Sequence, residues 1–267
     1  MKTFSNSKFI LAWSLPIALL VIIASLFGLF DPAIYAKETA NWAMQAKGQD
    51  IGNLIAVVML LISGLLFSRG SYRSGLVWLG TLLYLVYAYI VYAVAVHLNA
   101  LFLVYVAVLG LSSYAIVFTI NGLRTYGLKP PRTSILRLAG YTLGAIGVLF
   151  TLLWLSELIP ALLAGEVPRT ITEAGLWVNP IHVIDLAIVL PAFIITSFLT
   201  IKSRRDGLFF MGSWLVFAAL MATSIVAAMI LTGISDGFQT VLPPLVMVAL
   251  VMIASSYAAW RYLRHTT

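Results

Sequence analysis

The chain contains no cysteine, and only 9% of its 267 residues are charged. The first absence excludes disulfides, thiol nucleophiles, cysteine-held iron–sulfur or zinc sites and covalently attached c-type haem. The second excludes a water-soluble globule, because soluble domains carry about 25% charged residues and use them to cover their surface. A disordered tail or a collagen is excluded on the same composition. No Walker loop, Gly-x-Ser-x-Gly elbow, dinucleotide glycine fingerprint or kinase signature occurs. The seventh apolar stretch has no lysine for a retinal-type Schiff base.

What is present is hydrophobic sequence, 62% of the chain. It falls into eight runs at about 9–30, 52–68, 75–96, 100–120, 138–157, 178–201, 208–232 and 241–261. Each approaches the roughly 20 residues a helix needs to cross a hydrocarbon core. The runs are continuous, whereas barrel strands alternate apolar and polar residues. The expectation is an all-α, polytopic membrane helix bundle of eight transmembrane helices. Residues 1–267 form a single integral membrane domain with outer loops at about 31–50 and 158–176. The first run is longer than a signal-peptide core and reads as a retained helix.

Charge sets the expected orientation. Lys2, Lys8, Arg69, Arg73, Arg124, Lys129, Arg132, Arg137, Lys202, Arg204, Arg205, Arg261 and Arg264 fall on one side, which is 13 of the 16 basic residues. Lys37, Lys47 and Arg169 fall on the other, with Asp31, Glu38, Asp50, Glu166, Glu173 and Asp236. The positive-inside bias puts both termini in the cytoplasm. The net charge of +7 is therefore a topology signal, facing anionic headgroups. No loop is long enough to present a nucleic-acid-binding face.

In the first outer loop, Asp31 followed by Pro32 reads as the start of a short helix ending near Gly48. Tyr35, Trp42 and Met44 would lay that helix in the interface. The second loop carries Pro160, Gly165, Pro168 and Gly175. Both loops read as plain connections, with a lid over an outer site as the alternative. The third and fourth spans form a tight hairpin with His97 and Asn99 at its tip.

Ionisable groups within a membrane are costly and mark candidate sites. They are Glu157, His182, Asp185 and, at the edge, His97. Asn179-Pro180 reads as the N-cap and first residue of the sixth helix. His182 and Asp185 then share a face at i, i+3. Glu157 is expected to close the fifth helix, where the helix dipole disfavours an anion. One polar site holding Glu157, His182 and Asp185, joined by His97, Asn99 and Asn179, would relieve these costs together; interface anchoring is the simpler alternative. His182, Asp185 and Glu157 are also the residues that would ligate a metal, although no tight zinc motif is matched. A b-type haem would need His97 and His182. The sequence requires no cofactor.

Tyr84, Tyr87, Tyr89 and Tyr92 on the third span, and Tyr105 and Tyr114 on the fourth, are expected to face the bundle interior or an interface. Gly140, Gly144 and Gly147 make a small-residue face for close helix approach, within the chain or in an oligomer. The segment Leu155-Ser156-Glu157…Pro160, then Asn179-Pro180-Ile181-His182-Val183-Ile184-Asp185, with the Tyr-rich hairpin and Asn99-Ala100-Leu101-Phe102, resembles a group of uncharacterised bacterial multi-pass membrane proteins. The resemblance implies a bacterial inner-membrane setting and no particular reaction. The leading functional expectation is a proton- or ion-coupled carrier of a small-molecule solute with an outward-facing polar site. The alternatives are an intramembrane enzyme at the outer leaflet and a membrane sensor or scaffold. The lipid bilayer is the one partner the sequence demands.

Overall fold

The computed structural model describes residues 7–125 and 129–266; Lys2, counted among the basic residues, lies outside them. The described residues form an all-α bundle. Eight helices are long and apolar enough to cross a membrane, as an integral membrane protein requires. They are α1 (Ser7–Phe30), α2 (Ala40–Ser68), α3 (Tyr72–Ala95), α4 (Phe102–Thr125), α5 (Thr133–Ala164), α7 (Pro180–Ile201), α8 (Arg205–Asp236) and α9 (Phe238–His265). A single short helix, α6 (Arg169–Glu173), lies between α5 and α7.

Local chemistry fixes the ends. The Thr39 hydroxyl accepts the Trp42 amide at 3.3 Å and starts α2. The Asn179 side chain accepts the Ile181 amide at 2.9 Å, with Pro180 as the first helical residue of α7. Gly165, at φ 70°, stops α5 in the left-handed conformation that glycine adopts freely.

Two helices run further than their hydropathy indicates, which corrects both outer loops. α2 starts at Ala40 rather than near 52, so the first loop covers only 31–39. Asp31 caps no helix: its carboxylate accepts the Ala33 amide at 2.9 Å and shapes a turn. Gly48 lies inside α2, and Tyr35 and Trp42 are buried rather than lying in an interface. α5 runs through Pro160 to Ala164, so Glu157 sits two turns inside the helix and not at its C-terminal end.

The eight long helices pack as two rings. α1, α2, α3 and α4 each touch the next, and α4 returns to α1; α5, α7, α8 and α9 close in the same order. The rings meet where α8 lies against α2 and α3. Hydrocarbon gives no hydrophobic force between helices, so close van der Waals approach must hold this seam. Glycine permits it. A Cβ at Gly48 would stand 2.2 Å from the Ala228 Cα, and one at Gly80 would stand 2.4 Å from the Ser213 carbonyl. The α5 glycines face α7 of the same chain, where the Ser197 hydroxyl donates to the Gly140 carbonyl at 2.7 Å. That small-residue face is therefore filled internally.

The ends of α1, α3, α5 and α8 share one face with the starts of α2, α4, α7 and α9. This acidic face carries Asp31, Glu38, Glu166, Glu173 and Asp236. The opposite, basic face carries an Arg124–Asp206 ion pair and an Arg205 bond to the Arg124 carbonyl at 2.7 Å.

Candidate functional site

A cavity of about 580 Å³ occupies the acidic half of the bundle, walled by α2 and α3 of one ring and α5, α7, α8 and α9 of the other. Its lining on α8 runs from Thr232 down to Phe217. Fifteen residues at 1.5 Å each give a depth of about 22 Å. Edge-to-face aromatics close the bottom. Phe217 meets Phe193 at 5.9 Å, Trp214 at 5.4 Å and Tyr87 at 5.6 Å between ring centroids.

One wall is polar, and the shape of α7 makes it so. Pro191 has no amide proton, and its ring crowds the turn before it. The helix widens over Asp185–Val189, where the Leu190 amide donates five residues back to the Asp185 carbonyl. Such single-turn π-bulges recur at functional sites because they re-aim side chains. His182, Asp185, Val189 and Phe193 all line the cavity. The Trp154 indole N–H donates to the Asp185 carboxylate at 2.8 Å, and its ring lies 4.7 Å from the His182 ring. Tyr87 interacts with the same carboxylate. Glu157, three residues beyond Trp154, brings a carboxylate oxygen to 3.8 Å from His182 Nε2 and accepts the Thr170 hydroxyl of α6. Nδ1 of His182 is buried with no hydrogen-bond partner.

The structure thus gathers Glu157, His182 and Asp185 on one wall, with Asn179 capping α7 at the rim. His97 and Asn99 are not part of it. Both Glu38 carboxylate oxygens lie 3.1 Å from His97 Nδ1, and the His97 amide donates to one of them at 2.7 Å. The Asn99 amide donates to the Ile34 carbonyl at 3.3 Å. Together they pin the hairpin tip to loop 31–39. His97 lines a separate surface pocket, so it shares no space with His182 for a haem. The metal set is corrected too. Among the described residues no three His, Asp or Glu side chains gather as ligands.

The sequence reading missed Asp50. It is 1% exposed inside α2, where the Tyr35 hydroxyl donates to one carboxylate oxygen at 2.8 Å and the Tyr92 hydroxyl to the other at 2.8 Å. Burial, and the Asp50 charge beside it, push the Tyr35 phenol far above its ordinary range, so it remains a donor. Beside this cage, the Gln49 side-chain amide donates to the Tyr84 hydroxyl at 2.6 Å and to Asn53 Oδ1 at 3.2 Å. Tyr92 and Gln49 reach the cavity, so the cage forms its backing. Spacing carried a signal: Ala46, Gln49, Asp50 and Asn53 recur at three- and four-residue intervals, as one helix face would. Tyr84, Tyr87, Tyr89, Tyr92 and Tyr105 face inward as expected, whereas Tyr114 is exposed.

No protein-family model, curated protein or solved structure matches the chain. The site offers a deep, largely apolar chamber with Glu157, His182 and Asp185 on α5 and α7 and the amides of Asn41, Gln45 and Gln49 on α2.

Proposed function

We propose that the protein is a carrier of a small solute, seen with its site facing the acidic side. The observation behind this reading is the place of the cavity: it lies between two four-helix rings and is floored by aromatic side chains halfway through the bundle. Alternating access works by rocking one bundle against another around a midplane site. At the seam Gly48, Gly52 and Gly80 let the backbones of α2 and α3 lie directly against α8, so smooth backbone surfaces meet at those three points. The positive-inside bias supports both termini being cytoplasmic and the cavity facing outward, and the bacterial inner-membrane setting rests on the resemblance of the Glu157–Asp185 segment and the Tyr-rich hairpin. In this reading His182, Asp185 and Glu157 bind the solute and gate its passage.

One feature favours a second reading, an enzyme acting at the outer leaflet. The Glu157–His182 pair resembles an oriented general base, and one-sided access is sufficient for catalysis. The natural lack of cysteine makes the two readings separable. A single cysteine at Met229, in the cavity, should react with a membrane-impermeant maleimide from the acidic side. A single cysteine at Ser213, below the floor and buried against Leu76, should react from the basic side if the protein alternates. Labelling of Met229→Cys alone, with Ser213→Cys inert in both membrane orientations, would remove the carrier reading and leave the enzyme.

A further inference from the structure

We infer that the cavity takes a protonated amine borne on an apolar body, a proposal that deepens the carrier reading and rests on it for the role of cargo.

The charges of the wall point one way. The cavity lining includes Glu157, Glu173 and Asp185 but no lysine and no arginine. Glu173 is already paired with Arg169 at the rim, at 2.6 Å, so Glu157 and Asp185 remain for a ligand. An anion here would face two carboxylates with no fixed cation opposite. A cation would find both of them, and a carboxylate binds an ammonium through short charge-assisted hydrogen bonds.

A second observation narrows the cation to one with N–H groups. His182 is 4% exposed, and its Nδ1 has no partner. Nε2 is the nitrogen turned toward Glu157, at 3.8 Å. With the proton on Nε2, Nδ1 is a bare acceptor in a low-dielectric wall, and unsatisfied buried acceptors are costly. A turn of the imidazole that brings Nδ1 to the cavity lets an ammonium N–H supply the missing donor. A quaternary ammonium or a neutral hydrocarbon does not.

The remaining surface suits the rest of such a molecule. Trp42, Tyr87, Phe150 and Trp154 present aromatic rings to the cavity. Aromatic faces attract cations when they are desolvated. Across from them Met221, Ile225, Met229 and Met247 make a flexible apolar wall. Methionine adapts its shape, which suits apolar groups of varied outline. A chamber of about 580 Å³ has room for a drug-sized molecule.

The test uses the purified full chain, titrated calorimetrically with a series of phenylalkylamines from 2-phenylethylamine to 6-phenylhexylamine and with 4-phenylbutanoate as the charge-reversed match. The amines should bind saturably and the carboxylate should not. Glu157→Gln should weaken amine binding about tenfold or more, the effect of losing one charge-assisted bond. Asp185→Asn should do the same while keeping the fold, since its amide oxygen still accepts from Trp154. Trimethyl(4-phenylbutyl)ammonium should bind more weakly than 4-phenylbutylamine. Saturable binding of 4-phenylbutanoate, no binding by any amine at millimolar concentration, or unchanged affinity in both variants would overturn the proposal. The carrier reading fails separately: amine binding with Ser213→Cys inert from the basic side leaves an amine site in a protein that does not transport.

Discussion

Replacing Gly28 by alanine tests the buried Asp50 cage. A Cβ at residue 28 would stand 2.2 Å from the Asp50 carboxylate and 2.6 Å from the Tyr35 hydroxyl. Contacts that short do not occur, so the carboxylate must retreat by about 1 Å to reach van der Waals separation. It has little room to do so, being 1% exposed and held by Tyr35 and Tyr92 at 2.8 Å each. Overpacking costs about 1–3 kcal/mol, and weakening a buried hydrogen bond adds about 1–3 kcal/mol. The better helix propensity of alanine returns up to about 1 kcal/mol. The net expectation is a loss of about 2–4 kcal/mol, within those same ranges. Asp50→Ala removes the nearest obstructing atoms and frees the Tyr35 hydroxyl, still 2.6 Å from the added Cβ, to turn aside, so Gly28→Ala placed on top of it should cost clearly less, a coupling of about 1–3 kcal/mol. Gly110→Ala is the control, since a methyl added there on α4 would meet no atom within 4 Å. It should be neutral or stabilising. Reversible unfolding in detergent reads all four variants. Full stability of Gly28→Ala, or an equal penalty with and without Asp50, would refute the description of the cage.

Three further outcomes are expected. Trp154→Phe removes the donor to the Asp185 carboxylate and should cost about 1–3 kcal/mol in unfolding experiments, with amine affinity reduced in parallel. Gly48→Ala drives a methyl to 2.2 Å from the Ala228 backbone, which cannot rotate away, so a loss of about 3 kcal/mol should appear as reduced folded yield. Epitope tags at the two ends of the chain should both be reachable only from the cytoplasm in intact cells, and a terminus labelled from outside would overturn the orientation.

Much of the architecture is legible because hydropathy alone identifies a membrane span. All eight long helices fall on the eight apolar runs. Their ends are harder to read where polar residues lie on a buried face. Asn41, Gln45, Lys47, Gln49 and Asp50 lower the hydropathy of the first turns of α2, so the segment resembles a loop, although Thr39 supplies an N-cap. The same pattern suggests that Asp50 lies in water, when the structure closes two tyrosine hydroxyls on it. Pro160 suggests that α5 has ended, yet the helix carries it and continues to Gly165. The dipole argument for Glu157 therefore fails, while its position beside His182 follows from the return of the chain through α6. The i, i+3 pairing of His182 and Asp185 is readable, but the π-bulge beneath it is not. Such a bulge depends on how the helix settles around Pro191 against α5 and α8. His97 and Asn99 lie on the face their sequence positions indicate. Their partners, Glu38 and Ile34, lie about 60 residues away in the chain, and no spacing rule reaches that far.

Movement of one ring against the other is directly measurable by electron spin resonance. Spin labels at Ala36→Cys and Ser235→Cys report the separation of the rings at the acidic face, and a second pair at Arg69→Cys and Lys202→Cys reports it at the basic face. With saturating 4-phenylbutylamine in lipid nanodiscs, the account predicts that the acidic-face distance shortens while the basic-face distance lengthens. A single unchanged distance for both pairs, with and without the amine, would contradict it.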